Sequence, residues 1–183
     1  RQPDSKKNLV LTPTGPGTPS TIEEAGFESV IHALFFPDGK RLLLSAAEPG
    51  AKLRLYVQDL PSGRPRAIAA KSYGIGPHPI SPDGQWIVTY GEWSEDFFLV
   101  PTSGGEPRSI PSTRDLDMVR WTEDGKSLFC AVAGSVPARV VRVEVATGRR
   151  EKWRDLAPPD LSGIIEMSSV YLTPDGKSYV YSF

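Results

Sequence analysis

The chain has 183 residues, enough for one sizeable domain or part of a larger one. Its formal net charge is -1 with both signs scattered along it, which leaves no basic patch of the kind nucleic acid demands. No apolar run approaches the roughly 18 residues that read as a membrane-spanning helix, so this segment inserts in no membrane that way.

The opening RQPDSKKN lacks the charged-then-apolar layout of a signal peptide. Arg1 is not an initiator Met, so export stays open. Residues 7–22, KNLVLTPTGPGTPSTI, read as a strand, a glycine turn and a second strand. TIEEAGF at Thr21–Phe27 has a cap-like start but is too short to matter as a helix.

A phrase then begins to recur. FPDGK at Phe36–Lys40 lies between SVIHALF and RLLLSA, and SPDGQ at Ser81–Gln85 between GPHPI and QWIVTY. TEDGK at Thr122–Lys126 follows LDMVRW and precedes SLFCAV, and TPDGK at Thr173–Lys177 lies between SSVYL and SYVYSF. The aspartates Asp38, Asp83, Asp124 and Asp175 are 45, 41 and 51 residues apart. A period of that length marks an array of supersecondary units, each too small to bury its own hydrophobic face. Proline presets φ at the first inner turn position, Asp accepts from the backbone beyond it, and Gly takes positive φ. The phrase is therefore a hairpin turn, and its four aspartates are structural turn residues. Along the flanking runs Trp86, Val88 and Tyr90 share one face, as do Leu128, Cys130 and Val132.

A second turn follows at a near-constant offset, in LPSGR, TSGGE and ATGRR. Each lies between a strand-forming run and a more polar one, the mark of an exposed edge. The unit is four antiparallel strands, A to D. The 18 prolines and 17 glycines, about a fifth of the chain against roughly an eighth in average proteins, cluster between these runs. The fold class is all-β: a β-propeller, or a four-blade portion of one, with four-stranded antiparallel blades. One propeller over 1–183 has blades at 28–70, 75–111 and 116–157 and half blades at 7–22 and 162–183. The halves make one complete blade if residues 7–22 pair with 177–183, within the chain or across a homodimer with shared blade edges.

The phrases SPDGQWIVTY, FPDGKRLLLSA, TPDGKSYVYSF and KLRLYVQDLPSGRPRAI resemble the TolB-like propeller repeat, also called the WD-like Pro-Asp-Gly repeat. The resemblance covers nearly the whole chain; the third copy departs from it with Glu123 in place of proline. L-Y-V-Q-D-L and LTPTG are most similar to the propeller regions appended to bacterial Ser/Thr kinases and regulators. The resemblance implies a recognition or scaffold module of a larger bacterial protein, periplasmic or extracytoplasmic, with a protein or small ligand as partner. Such repeats also occur as gating domains of peptidases; the rival reading is an enzyme propeller, a polysaccharide lyase or hydrolase working at the channel mouth, and the cytoplasm stays open.

For chemistry, the sequence has no G-x-S-x-G elbow and no glycine-rich phosphate loop opening a helix, so no catalytic residue and no cofactor is assigned. The two histidines, His32 and His78, sit on A strands, innermost in a propeller, but lack the nearby acids or cysteine of a zinc site; no metal is expected. Asp115 and Asp117 are noted only as acids present. His32, His78, Arg120 and Glu166 break the apolar A-strand pattern and are the channel-binding candidates. Trp93, beside three acids in GEWSEDF, is the loop candidate. Trp121 is in register with Phe35, Ile80 and Leu172, a recurrence that marks core between blades. The single Cys130, in SLFCAV, is a buried hydrophobe. The insertion DLAPPDLSG at Asp155–Gly163 is the extra loop, where a rigid scaffold tends to carry binding residues.

Overall fold

The structure, a computed structural model, describes residues 9–22, 26–69, 74–90 and 96–183. They form strands, with no helix among them, and the chain divides into two compact units, Arg1–Ser72 and Tyr73–Phe183.

The first unit holds a hairpin, β1 (Leu9–Leu11) with β2 (Ser20–Ile22), and a four-stranded sheet. That sheet runs in chain order through β3 (Ser29–Phe35), β4 (Arg41–Ala47), β5 (Arg54–Asp59) and β6 (Arg66–Ala67), antiparallel throughout. Ile22 of the hairpin, with Leu9 and Leu11 beside it, packs on Leu42, Leu44, Ala46 and Tyr56.

The second unit begins with β7 (Trp86–Thr89), β8 (Phe97–Pro101) and β9 (Arg108–Ile110). Next comes a complete blade, β10 (Leu116–Trp121), β11 (Ser127–Val132), β12 (Ala138–Glu144) and β13 (Arg150–Leu156). A last hairpin pairs β14 (Ser168–Leu172) with β15 (Tyr179–Ser182). Alternation assigns each face of the complete blade to a different neighbour. Leu128 and Cys130 pack with Val88, Phe97 and Leu99 of the sheet before, while Phe129 packs with Met167, Val170 and Leu172 of the hairpin after. The Trp121 indole N–H donates to the Pro79 carbonyl at 3.0 Å and so fixes one of these contacts. Cys130 is fully buried, and burial pushes its thiol up.

Two expectations need correction. GPHPI does not form a regular A strand; only the bridges Gly74↔Tyr90 and Ile80↔Ile87 remain, and the sheet there has three strands. Pro77 and Pro79 supply no N–H to a ladder, and His78 between them has φ 50°, outside the strand region. Phe35 is not core: it is 58% exposed, against 4% for Trp121 and 6% for Leu172 at the matching turn position. The β1–β2 hairpin covers β4 and β5 and leaves Phe35 outside its cluster.

Among the described residues of the second unit, the β14–β15 hairpin has an uncovered face. Tyr171 and Val180 pair across it as Arg120 and Phe129 pair across β10–β11. Phe129 is 7% exposed, whereas Val180 is 62% and Tyr171 49% exposed. β1 pairs with β2 and β15 with β14, each hairpin a sheet by itself; their joining into one blade is a proposal.

Candidate functional site

The repeated turns have one geometry. In each, the Asp carboxylate accepts the N–H two residues on: Lys40 on Asp38 at 2.8 Å, and Gln85, Lys126 and Lys177 on Asp83, Asp124 and Asp175, each at 3.0 Å. A hydroxyl one residue before the turn adds a bond in three of them: Ser81 on Asp83 at 2.5 Å, Thr122 on Asp124 at 2.7 Å and Thr173 on Asp175 at 2.6 Å. The glycines Gly39, Gly84, Gly125 and Gly176 hold φ of 66–67°, which a Cβ would oppose. These bonds hold the Asp124 and Asp175 carboxyls, and that of Asp38, below the usual carboxylate range. Every lone pair named is aimed at local backbone or a neighbouring hydroxyl.

His32 lies exposed on β3, opposite Ser45, in the first unit. His78 lies exposed in the second unit, and burial of its ring, with the Arg120 charge nearby, pulls its imidazole below the ordinary value. Arg120, half-buried on β10, donates from Nη1 to the Leu172 carbonyl at 2.7 Å. Its Nε is buried without a hydrogen-bond partner among the described residues. Its guanidinium thus bridges one A strand to the next. Trp93 lies in Gly91–Glu95, outside the described residues. Among the described residues no group of three or more His, Cys, Asp or Glu is placed to hold a metal ion.

Glu166 lines a cleft of about 240 Å³ in the second unit. The cleft lies where the ends of several strands and loops meet. Tyr90 follows β7, Gly134 is in the β11–β12 loop, Asp117 is the second residue of β10, and Ser168 and Ser169 begin β14. Glu166 lies in the loop before β14 and not on an A strand as its sequence pattern suggests. The cleft's polar lining is Tyr90, Asp117, Glu166, Ser168 and Ser169, and Tyr171 also borders it. The Tyr90 hydroxyl accepts the Met118 N–H at 3.0 Å, and burial pushes its phenol up to about 12. Ser169 holds φ 53°, an uncommon conformation for a residue with a Cβ.

Of the sequence candidates, the structure thus brings His78 close to Arg120 and places Glu166 on a cleft with other groups. Tyr90, Ser168, Ser169 and Tyr171 are not among those candidates. Tyr90 reads as one more apolar-face strand residue, and nothing in its local sequence shows that Gly76 packs against its ring. Asp117 is visible only as an acid in a strand.

No family model matches the chain, and no curated protein matches it. Solved structures do. TolB from Acinetobacter baumannii aligns over 95% of this chain and 42% of its own, at 18% identity and a TM-score of 0.66. An oligogalacturonate lyase from Vibrio parahaemolyticus aligns over 92% of this chain and 50% of its own, at 14% identity and a TM-score of 0.59. A prolyl endopeptidase aligns over 85% and 26%, at 14% identity and a TM-score of 0.58. The chain spans half or less of the length of each. At such identities the likeness is one of fold, and the fold is a TolB-like β-propeller, present as a portion of one.

Proposed function

We propose that this chain is a non-catalytic recognition module, the sensory or interaction part of a larger bacterial, extracytoplasmic protein such as a receptor-type kinase or regulator. The observation that carries the reading is the cleft around Tyr90, Asp117 and Glu166. It is built from loops on a rigid sheet scaffold, and it offers hydroxyls, carboxylates and an aromatic side chain, a mixture suited to recognition. The bridging role of Arg120, tied to the Leu172 carbonyl, fits a framework that holds such a surface in shape. Binding of a protein or small ligand at this end of the blades is the activity proposed. Association of two copies through open strand edges belongs to the same reading, supported by the uncovered face at Tyr171 and Val180.

A second reading rests on the closeness of His78 to Arg120, a weakly basic imidazole beside a guanidinium. In an enzyme propeller, a polysaccharide lyase or hydrolase, such a pair can serve proton transfer and charge stabilisation. The gating propeller of a peptidase is a third. Turnover assays on oligogalacturonate and on short peptides decide among them. The recognition reading expects none. Turnover that His78→Ala abolishes without loss of folding overturns it in favour of the enzyme.

A further inference from the structure

We infer that the cleft receives a basic side chain, the guanidinium of arginine or the ammonium of lysine, presented by an extended segment of a protein partner. The inference rests on the recognition reading and names the ligand class of that same site.

Size comes first. At about 240 Å³ the cleft is below the roughly 300–1,000 Å³ of pockets that enclose drug-sized ligands, and suits one long side chain. Its floor is apolar, with Met167 and Val170 both buried. Its polar lining includes the carboxylates of Asp117 and Glu166, both on exposed residues. An aliphatic stem ending in a cation matches that order of surfaces, stem on the floor and head among the oxygens. Tyr171, half-exposed, also borders the cleft.

Charge points the same way. Among the described residues the cleft has no Lys, Arg or His in its lining, and neither carboxylate takes part in an ion pair. Arg120 is nearby in the chain; its guanidinium donates to the Leu172 carbonyl and keeps its charge, but it is not part of the lining. His78 follows Pro77 of the lining, and its lowered proton affinity leaves it neutral near pH 7, so it cancels no negative charge. Apolar walls beside two carboxylates with no ion-pair partner among the described residues strengthen the field in the cleft. The Tyr90 phenol, held protonated at neutral pH, adds no third charge. An anionic ligand is disfavoured.

Calorimetric titration of the full chain tests this, with acetyl-Gly-Arg-Gly-amide, its lysine analogue and its citrulline analogue as probes. The cationic peptides are expected to bind and to weaken with added salt, and the citrulline peptide, uncharged but of equal shape, to bind about fivefold or more weakly. Asp117→Asn and Glu166→Gln are each expected to weaken arginine-peptide binding by about two- to fivefold with the melting temperature unchanged. Glu123→Gln, an exposed acid in a turn away from the cleft lining, serves as the control and leaves binding unchanged. Equal binding of the citrulline peptide, binding indifferent to both cleft variants, or no arginine-peptide binding overturns the inference. Any of these without turnover on oligogalacturonate or peptides removes the ligand class and leaves the recognition reading standing. Turnover removes the recognition reading itself.

Discussion

The Met118 amide donates to the Tyr90 hydroxyl at 3.0 Å, and this bond ties the end of one sheet to the first strand of the next. The Tyr90 ring stands edge-on to Phe97, centroids 5.1 Å apart. A Cβ at Gly76 would fall 2.8 Å from the Tyr90 ring and hydroxyl, so only glycine lets the chain pass this close.

Tyr90→Phe keeps the ring and removes the acceptor, leaving the Met118 N–H unpaired at a buried residue. A loss of about 1–3 kcal/mol in urea unfolding is expected. The pH dependence has a definite sign. Burial chiefly, with the Asp117 charge, raises the phenol to about 12 from an ordinary 10. Its stabilising share is therefore full below about pH 10 and is lost as pH rises toward 12. In the folded protein, ultraviolet titration of tyrosinate should show a tyrosine ionising near 12 that is absent from Tyr90→Phe, apart from Tyr56, whose phenol burial and Glu48 also raise. An unchanged titration removes the argument.

The turn aspartates act at the other end of the pH scale. Lowered carboxyl values in the folded state give stability that is present above the unfolded value, about 3.9, and lost as pH falls through the folded values. Melting temperature should therefore hold steady from neutrality to about pH 4 and fall below it. Asp124→Ala removes the acceptor of the Thr122 hydroxyl and the Lys126 N–H, and a cost of about 1 kcal/mol is expected, the group being nearly exposed. Asp124→Asn, which keeps an acceptor oxygen, should recover part of that and flatten the acid limb. Equal losses in both variants would assign the effect to charge alone.

These turns also show what a single sequence can and cannot say. Pro-Asp-Gly between apolar runs is a local code: every bond it needs lies within five residues, so the roles of Asp38, Asp83, Asp124 and Asp175 are legible from the chain alone. The all-β class and the four-strand blade follow from their spacing. The cleft is much less legible. Asp117 lies 27 residues from Tyr90 and 49 from Glu166 along the chain, and which of them meet depends on how neighbouring sheets stack. Glu166 stands out because it breaks an apolar pattern, and Tyr90 stays hidden because it keeps one. GPHPI misleads for a local reason, since its apolar composition hides two prolines that cannot donate to a ladder.

Arg150 holds a second long-range junction. Its guanidinium donates to the Ser112 carbonyl, at 2.7 Å from Nε, and forks onto the Asp115 carboxylate, with Nη1 at 3.0 Å from Oδ2. That fork holds the Asp115 carboxyl down and the guanidinium up. Next to it a Cβ on Gly148 would collide with the Pro111 carbonyl. Arg150→Met keeps the stem and removes the fork; about 1 kcal/mol should be lost at low salt and less at high salt, because both partners are partly exposed. Arg150→Lys cannot reproduce two parallel bonds and should restore less than half. Thermal melts at two ionic strengths check both expectations, and a loss independent of salt would assign the cost to packing.

The uncovered face at Val180 leads to the last prediction. Phe129 is buried against the hairpin that follows it, whereas Val180, at the matching place on β15, is 62% exposed, with nothing equivalent over it among the described residues of the second unit. Among the described residues β15 also keeps one edge without a strand partner, and an open edge beside an apolar face invites association. The occupant proposed is the β1–β2 hairpin of a second copy, which carries the strand–glycine turn–strand order of the missing half. Two such exchanges related by a two-fold axis close a dimer. Light scattering after size exclusion should then give twice the chain mass, and Val180→Arg should give a folded monomer. Deleting residues 1–22 removes the hairpin from both copies and should cause strong destabilisation or aggregation. A soluble monomer of unchanged melting temperature after that deletion would sink the shared-blade proposal, since neither face would then have needed its complement.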